Sequence, residues 1–250
     1  MDLVGDLLAR DRRSRDAALV TPDGRERTYH DLITNGYKAA NVFRYLGARA
    51  GATVAVESTP GFHTTLAFLG AAAVGAPVRF DPAAGIDAGD RVVLAPVATA
   101  ATFDPAPGTN LAAFGGSPER PDTTHWEKEL WSENPGTPPS DVKPDDPVVA
   151  GPDRERSHRE LCSLAAAAVE AGEMDEGTRV VLRRPFSDAP ALAAGLVAPL
   201  SVAGTAVLAP STGDGEADDE PRGDVAVAPG DADVPEPRRI DPASIASAAD

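Results

Sequence analysis

Two arginines, Arg154 and Arg156, lie in the run Ala150-Gly151-Pro152-Asp153-Arg154-Glu155-Arg156, between an apolar strand pattern and a helix start. Each can contact an anion. Holding phosphates, however, takes backbone N–H groups freed by glycine, together with hydroxyl and lysine donors. Here Pro152 removes a donor, and Asp153 and Glu155 repel phosphate. Arg25 and Arg27 recur at the matching places of an earlier related segment, which favours a structural or salt-bridging role for the pair. The four histidines, His30, His63, His125 and His158, lack metal-ligand spacing and read as surface or capping residues. Cys162 is the one cysteine; it excludes an internal disulfide and a Cys-based zinc cluster, and reads as a small core residue of a helix. Gly115-Gly116 and the pair Gly213 and Gly215 are loop glycines without the helix start and third glycine of a dinucleotide fingerprint. Lys38, Lys128 and Lys143 fall at no position suited to catalysis. Trp126 and Trp131 are expected to anchor their segment on a core. The residues therefore assign no catalytic group, no cofactor and no metal.

The chain has 250 residues and a formal charge of −16, which argues against nucleic acid as a partner. Its basic residues are 3 lysines and 20 arginines, and this acidic, lysine-poor composition reads as halophilic. Met1 to Arg13 shows no cleavable signal, so a cytoplasmic location is expected. The uncharged stretch from Ala189 to Gly213 is long enough to span a bilayer, but Pro190, Pro199 and Pro210 speak against it, and no membrane contact is expected.

These residues must be positioned by two related segments, 21–82 and 151–210. Arg25-Glu26-Arg27-Thr28-Tyr29-His30-Asp31-Leu32 lies against Arg154-Glu155-Arg156-Ser157-His158-Arg159-Glu160-Leu161, with four of eight positions identical. Gly51 to Val56 matches Gly177 to Leu182, and Gly75-Ala76-Pro77-Val78 matches Gly204-Thr205-Ala206-Val207. Each segment reads as strand, tight turn, strand, helix, strand, helix, strand. Thr28 with Asp31, and Ser157 with Glu160, mark the helix starts. The stripes Leu32, Gly36, Ala40, Phe43 and Leu161, Leu164, Ala168, Ala171 mark the buried helix faces. Such alternation predicts an α/β fold with mainly parallel sheets covered by helices. The expected organisation is a first αβ unit over 1–115, a Pro-rich linker with a short helix over 116–145, a second unit over 146–240 with an acidic loop at 211–222, and a tail over 241–250.

Over residues 1 to 210 the sequence resembles the AMP-forming adenylating enzymes, the acyl-CoA synthetases and their relatives. The matching stretches are Asp16 to Gly24, Arg27-Thr28-Tyr29-His30-Asp31-Leu32, the helix to Leu46-Gly47, Gly51 to Val56, Phe68 to Val78, Glu127 to Asp146, Ser157 to Leu161, and Pro199-Leu200 through Gly204-Thr205. The resemblance implies the N-terminal subdomains of that fold. It also implies that Gly151, Pro152, Asp153, Arg154 and Arg156 stand where members carry a Thr-Ser-Gly-Thr-Thr-Gly run followed by Pro-Lys-Gly, the loop that wraps the ATP phosphates. That loop is degenerate here. The adenine and magnesium motif, the ribose-binding Asp and the catalytic Lys of the family find no counterpart either.

The resemblance and the degenerate loop together imply a truncated, non-catalytic acyl-CoA synthetase-like protein, a pseudoenzyme acting as a binding or accessory subunit. Its partner would be a full-length ligase or a second copy of itself. The alternative is the N-terminal half of a split AMP-forming carboxylate or acyl-CoA ligase completed by another chain.

Overall fold

The computed structural model describes residues 1–151, 154–210 and 222–249. The first half of the chain runs through β1 (Ala17–Val20), β2 (Glu26–Thr28), α1 (Tyr29–Tyr45), β3 (Thr53–Val56), α2 (Phe62–Ala73), β4 (Val78–Phe80), β5 (Asp90–Pro96), α3 (Val97–Ala100), β6 (Asn110–Phe114), β7 (Thr124–His125) and α4 (Trp126–Ser132). The second half continues with β8 (Pro147–Ala150), β9 (Glu155–Ser157), α5 (His158–Ala171), β10 (Arg179–Leu182) and α6 (Ala189–Leu192). A π-helical turn (Ala193–Val197), α7 (Ala198–Ser201), β11 (Thr205–Leu208), β12 (Val225–Val227), β13 (Arg238–Ile240) and α8 (Pro242–Ala249) complete it. Local chemistry sets the helix starts. At α1 the Asp31 N–H donates to Thr28 Oγ1 at 3.1 Å and the Thr28 N–H to Asp31 Oδ2 at 3.2 Å, a reciprocal cap.

One compact unit comprises Met1–Ile33, Thr59–Phe62 and His158–Asp250. Its sheet has the order β13-β12-β10-β11-β1-β2, parallel throughout except for the β1–β2 hairpin. Val180, Val181, Leu182, Ala206, Val207, Leu208 and Val225 to Val227 are all buried, as strands covered on both faces must be. The other unit comprises Thr34–Ser58 and His63–Ser157, with the order β7-β6-β5-β3-β4-β8-β9, again parallel except for the β8–β9 hairpin. The fold is α/β.

The compact units differ from the contiguous 1–115 and 146–240 read from the sequence. Hairpin β1–β2 joins the sheet of β10 to β13 through β11, and hairpin β8–β9 joins the sheet of β3 to β7 through β4. Local apolar patterns dictate that a strand forms; they do not encode its distant partner. Residues 116–145 are likewise no detached linker. β7 pairs with β6, and Trp126 is fully buried with its ring centroid 5.0 Å from that of Phe43. Trp131, expected to anchor as well, is 88% exposed. At the end of the chain α8 packs on α5 and buries Ile245. Most of the acidic loop, 211–221, lies outside the described residues.

Strand register also revises one match. Val54 pairs with Val78, and the corresponding Val180 pairs with Ala206, so Val78 takes the place of Ala206 and Gly75 that of Ala203, one residue earlier than the sequence suggests. Backbone angles agree, with φ of +74° at Gly75 and +61° at Ala203. Farther along the stripe of α5, Ala171 is exposed. The π-helical turn has a cause in Pro199. Within the helix this residue has no N–H to donate and crowds the preceding turn, and the wider turn before it absorbs the mismatch. Gly195, within that turn, allows close approach to β10: a Cβ there would stand 2.6 Å from Leu182 Cδ1.

Candidate functional site

The segment singled out from the sequence connects β8 to β9. The strands pair Val149 with Arg156 and Ala150 with Glu155, and the Gly151 N–H donates to the Arg154 carbonyl at 3.1 Å. Four residues thus carry the chain from strand to strand. A Cβ on Gly151 would sit 2.9 Å from that carbonyl, so glycine is required for the closure. Pro152 and Asp153 lie outside the described residues. The strands flanking the five-residue connection between β1 and β2 pair in a corresponding way. Val20 pairs with Glu26 and Leu19 with Arg27, the Thr21 N–H donates to the Arg25 carbonyl at 3.0 Å, and both hairpins carry an irregularity at the corresponding step, Ala17/Leu19 and Pro147/Val149.

Of the arginines, Arg154 is exposed and Arg156 half-buried on β9. Their counterparts act locally: Arg25 Nε lies 3.1 Å from Asp23, and the Arg27 guanidinium lies 4.5 Å from the centroid of the Phe62 ring. The Gly151 amide, the donor a phosphate would want, is spent within the hairpin.

The carboxyl ends of parallel strands are where open α/β sheets take ligands. Beyond β10 and β11 a cavity of about 280 Å³ is lined by Arg183, Arg184, Pro185, Ala209, Pro210, Thr59 and Pro60. Both arginines are engaged: Arg183 Nη2 lies 2.9 Å from Glu236 Oε1, whose side chain is wholly buried, and Arg184 Nη2 lies 2.9 Å from Asp188 Oδ2. Asp188 also accepts from the Ala191 N–H at 3.1 Å and so caps α6.

Three of the histidines depart from the surface or capping reading. His158 is fully buried and its Nδ1 accepts the Val4 N–H at 3.2 Å. His63 Nε2 and His125 Nε2 flank Glu127, 3.7 Å from Oε1 and 3.6 Å from Oε2, while Oε1 accepts the Gly115 N–H at 2.5 Å. Sequence reasoning missed this group because its members are distant in the chain; the only local signal is His125 two residues before Glu127. Among the described residues no three His, Cys, Asp or Glu side chains form a group able to hold a metal. Cys162 is buried, and burial pushes its thiol pKa up to about 11. No described helix is long and apolar enough to cross a membrane.

The fold is that of the N-terminal regions of acyl-CoA synthetases and related adenylating enzymes. The N-terminal domain of FACL13 from Mycobacterium tuberculosis matches with a TM-score of 0.72 at 20% identity, over 85% of this chain and 58% of that one. ATP-bound MatB from Rhodopseudomonas palustris matches with a TM-score of 0.71 at 16% identity, over 90% of this chain and 49% of that one. The anthranilate CoA ligase AuaEII, in complex with anthranoyl-AMP, matches with a TM-score of 0.70 at 17% identity, over 84% of this chain and 45% of that one. The chain thus spans about half the length of the solved structures it matches. At these identities the likeness is one of fold. No protein-family profile and no curated protein matches the sequence.

Proposed function

We propose that this chain is a non-catalytic protein of the acyl-CoA synthetase fold that works by binding, as an accessory subunit for a ligase of the same fold or for a second copy of itself. One observation carries the reading. Where the fold's adenylating members need a long loop of glycine amides and hydroxyls around the ATP phosphates, β8 and β9 are joined by a four-residue turn whose Gly151 amide bonds to Arg154. A loop of that size cannot wrap a triphosphate, and the paired strands on either side leave no slack to lengthen it. The arginines of the turn do not replace the loop, because their counterparts Arg25 and Arg27 are used in local contacts. The same observation weighs against a split ligase, since the phosphate loop belongs to this half of the fold. An exposed Trp131 supports a binding role, tryptophan being enriched at the centres of protein interfaces. Calorimetric titration with ATP and magnesium tests the proposal. No binding tighter than about millimolar, roughly 4 kcal/mol, is expected, and pyrophosphate release from ATP with any carboxylate by the isolated chain would overturn it.

A further inference from the structure

The residues ahead of β1 lie as a strap on α5. A 3₁₀-helical turn, Val4–Leu8, packs against that helix and buries Val4, Leu7 and Leu8. Asp6 Oδ2 closes the turn by accepting the Asp2 and Leu3 N–H groups at 3.1 and 3.0 Å. Farther on, Arg12 Nη2 donates to the Leu200 carbonyl at the end of α7, which fixes the approach to β1 separately. The strap is tied to α5 through Val4, whose N–H donates to His158 Nδ1 at 3.2 Å. His158 is the first residue of α5 and is fully buried. One turn along the same face of the helix, Cys162 is buried as well, and Asp6 and Asp2 lie close enough to interact with its thiol. The strap therefore covers both side chains.

We propose that the strap is a proton-operated latch: protonation of His158 releases residues 2–8 and uncovers the face of α5 that carries His158 and Cys162, while the sheet beneath stays folded. A neutral imidazole has one donor and one acceptor nitrogen. With Nδ1 accepting from Val4, the ring proton is on Nε2, and a second proton taken from solvent must go to Nδ1. There it sets N–H against N–H, and the bond is lost. Two further features oppose the imidazolium while the latch is closed: complete burial, which disfavours charge, and the start of α5, where the helix amides present positive charge. Once released, the ring is in water, where an imidazole titrates at about 6.5. Proton uptake thus favours release by up to about tenfold per pH unit below that value. The strap brings Asp2 and Asp6 to this place, and the first turns of α5 add Arg159, Glu160 and Cys162. Carboxylates ordinarily titrate at about 4, thiols at about 8.5 and arginines above about 12, outside a window of about pH 7.5 to 5.5. The other elements packed on α5, which are α6, the π-helical turn, α7 and α8, carry no titratable side chain. The latch does not depend on whether the chain binds a ligase.

The test is hydrogen exchange of the full chain, followed by mass spectrometry at about pH 7.5 and 5.5 and corrected for intrinsic exchange at each pH. Protection of residues 2–8 should fall about tenfold between the two, as expected when the released state takes up a proton at about 6.5 and the closed state does not. The amides of β10, β11 and β12 should keep theirs. Cys162 gives a second readout. Its labelling by 4,4′-dithiodipyridine, relative to the urea-unfolded chain at the same pH, should quicken by the same factor. His158→Asn places an amide oxygen where Nδ1 stands, so the Val4 bond is kept and nothing titrates; protection in this variant should be the same at both pH values. Leu7→Ala loosens the packing alone and should speed labelling equally at both. Unchanged protection of the wild-type strap, a parallel loss in β10 and β11 that marks global unfolding, or a tenfold change retained in His158→Asn would each overturn the proposal.

Discussion

Replacing Ala203 by glycine should stabilise the protein. Ala203 follows α7 with φ of +61°, while the Gly204 N–H reaches back to the Pro199 carbonyl at 2.8 Å and closes the helix end. The same ending after α2 uses Gly75, with the Ala76 N–H on the Ala71 carbonyl at 3.0 Å. A left-handed conformation costs an L-residue roughly 1–2 kcal/mol, and glycine removes that strain. Glycine also adds about 0.5–1 kcal/mol of unfolded-state freedom. The side chain of Ala203 is exposed, so no packing is lost. The expected gain is about 0.5–1 kcal/mol, or roughly 1–4 °C in a domain of this size. Gly75→Ala should move the other way and further, because its Cβ would also press on Val142 Cγ2 at 3.0 Å. Scanning calorimetry of both variants beside the parent reads the difference. A melting temperature lowered by Ala203→Gly would refute the assignment of strain to this helix end.

Three other outcomes are expected. Gly195→Ala should cost about 1–3 kcal/mol by overpacking against Leu182, seen as a lower urea midpoint with unchanged slope. Burial raises the pKa of Tyr29 from 10.0 to about 12 and that of Cys162 from 9.0 to about 11. The folded state therefore holds protons that the unfolded state has released: the stabilisation is complete below pH 9 and is lost as pH rises from 9 towards 12. Cys162→Ala should flatten the lower part of that decline and Tyr29→Phe the upper part, and an equally steep fall in both variants would contradict the assignment. Finally, residues 211–250 carry 11 acids and 3 arginines. Molar KCl shortens the screening length from about 10 Å to about 3 Å, so the melting temperature should climb with KCl well beyond 0.1 M; a flat profile would remove the halophilic reading.

What the sequence reveals and what it hides divide along a physical line. Thr28 with Asp31, and the valine and alanine runs of β3, β5, β10 and β12, act on near neighbours, so their elements are visible in the pattern. The tight turn at Gly151 is visible too, through its likeness to the turn before Arg25. Hidden are the features set by distant contacts: the sheet that each hairpin joins, the burial of His158 under Val4, the convergence of His63 and His125 on Glu127, and the opposite fates of Trp126 and Trp131. Ala203 misled the strand match for a related reason. Sequence comparison aligned Gly204 with Gly75, whereas the backbone conformation at that place is held by an alanine.

The pairing of β1 with β11 and of β8 with β4 also sets an order of events for a chain emerging from a ribosome. The sheet of β3 to β9 draws only on residues 53–157, so it can close as soon as that stretch is out. β1 has no parallel partner until Thr205–Leu208 arrives. At about 5–20 residues per second, the apolar strand Ala-Ala-Leu-Val waits on the order of ten seconds with its edge open to other chains. A cut made anywhere in 116–145 would not release two self-sufficient halves, because the first fragment would keep a hairpin whose sheet was on the second, and the second a hairpin whose sheet was on the first.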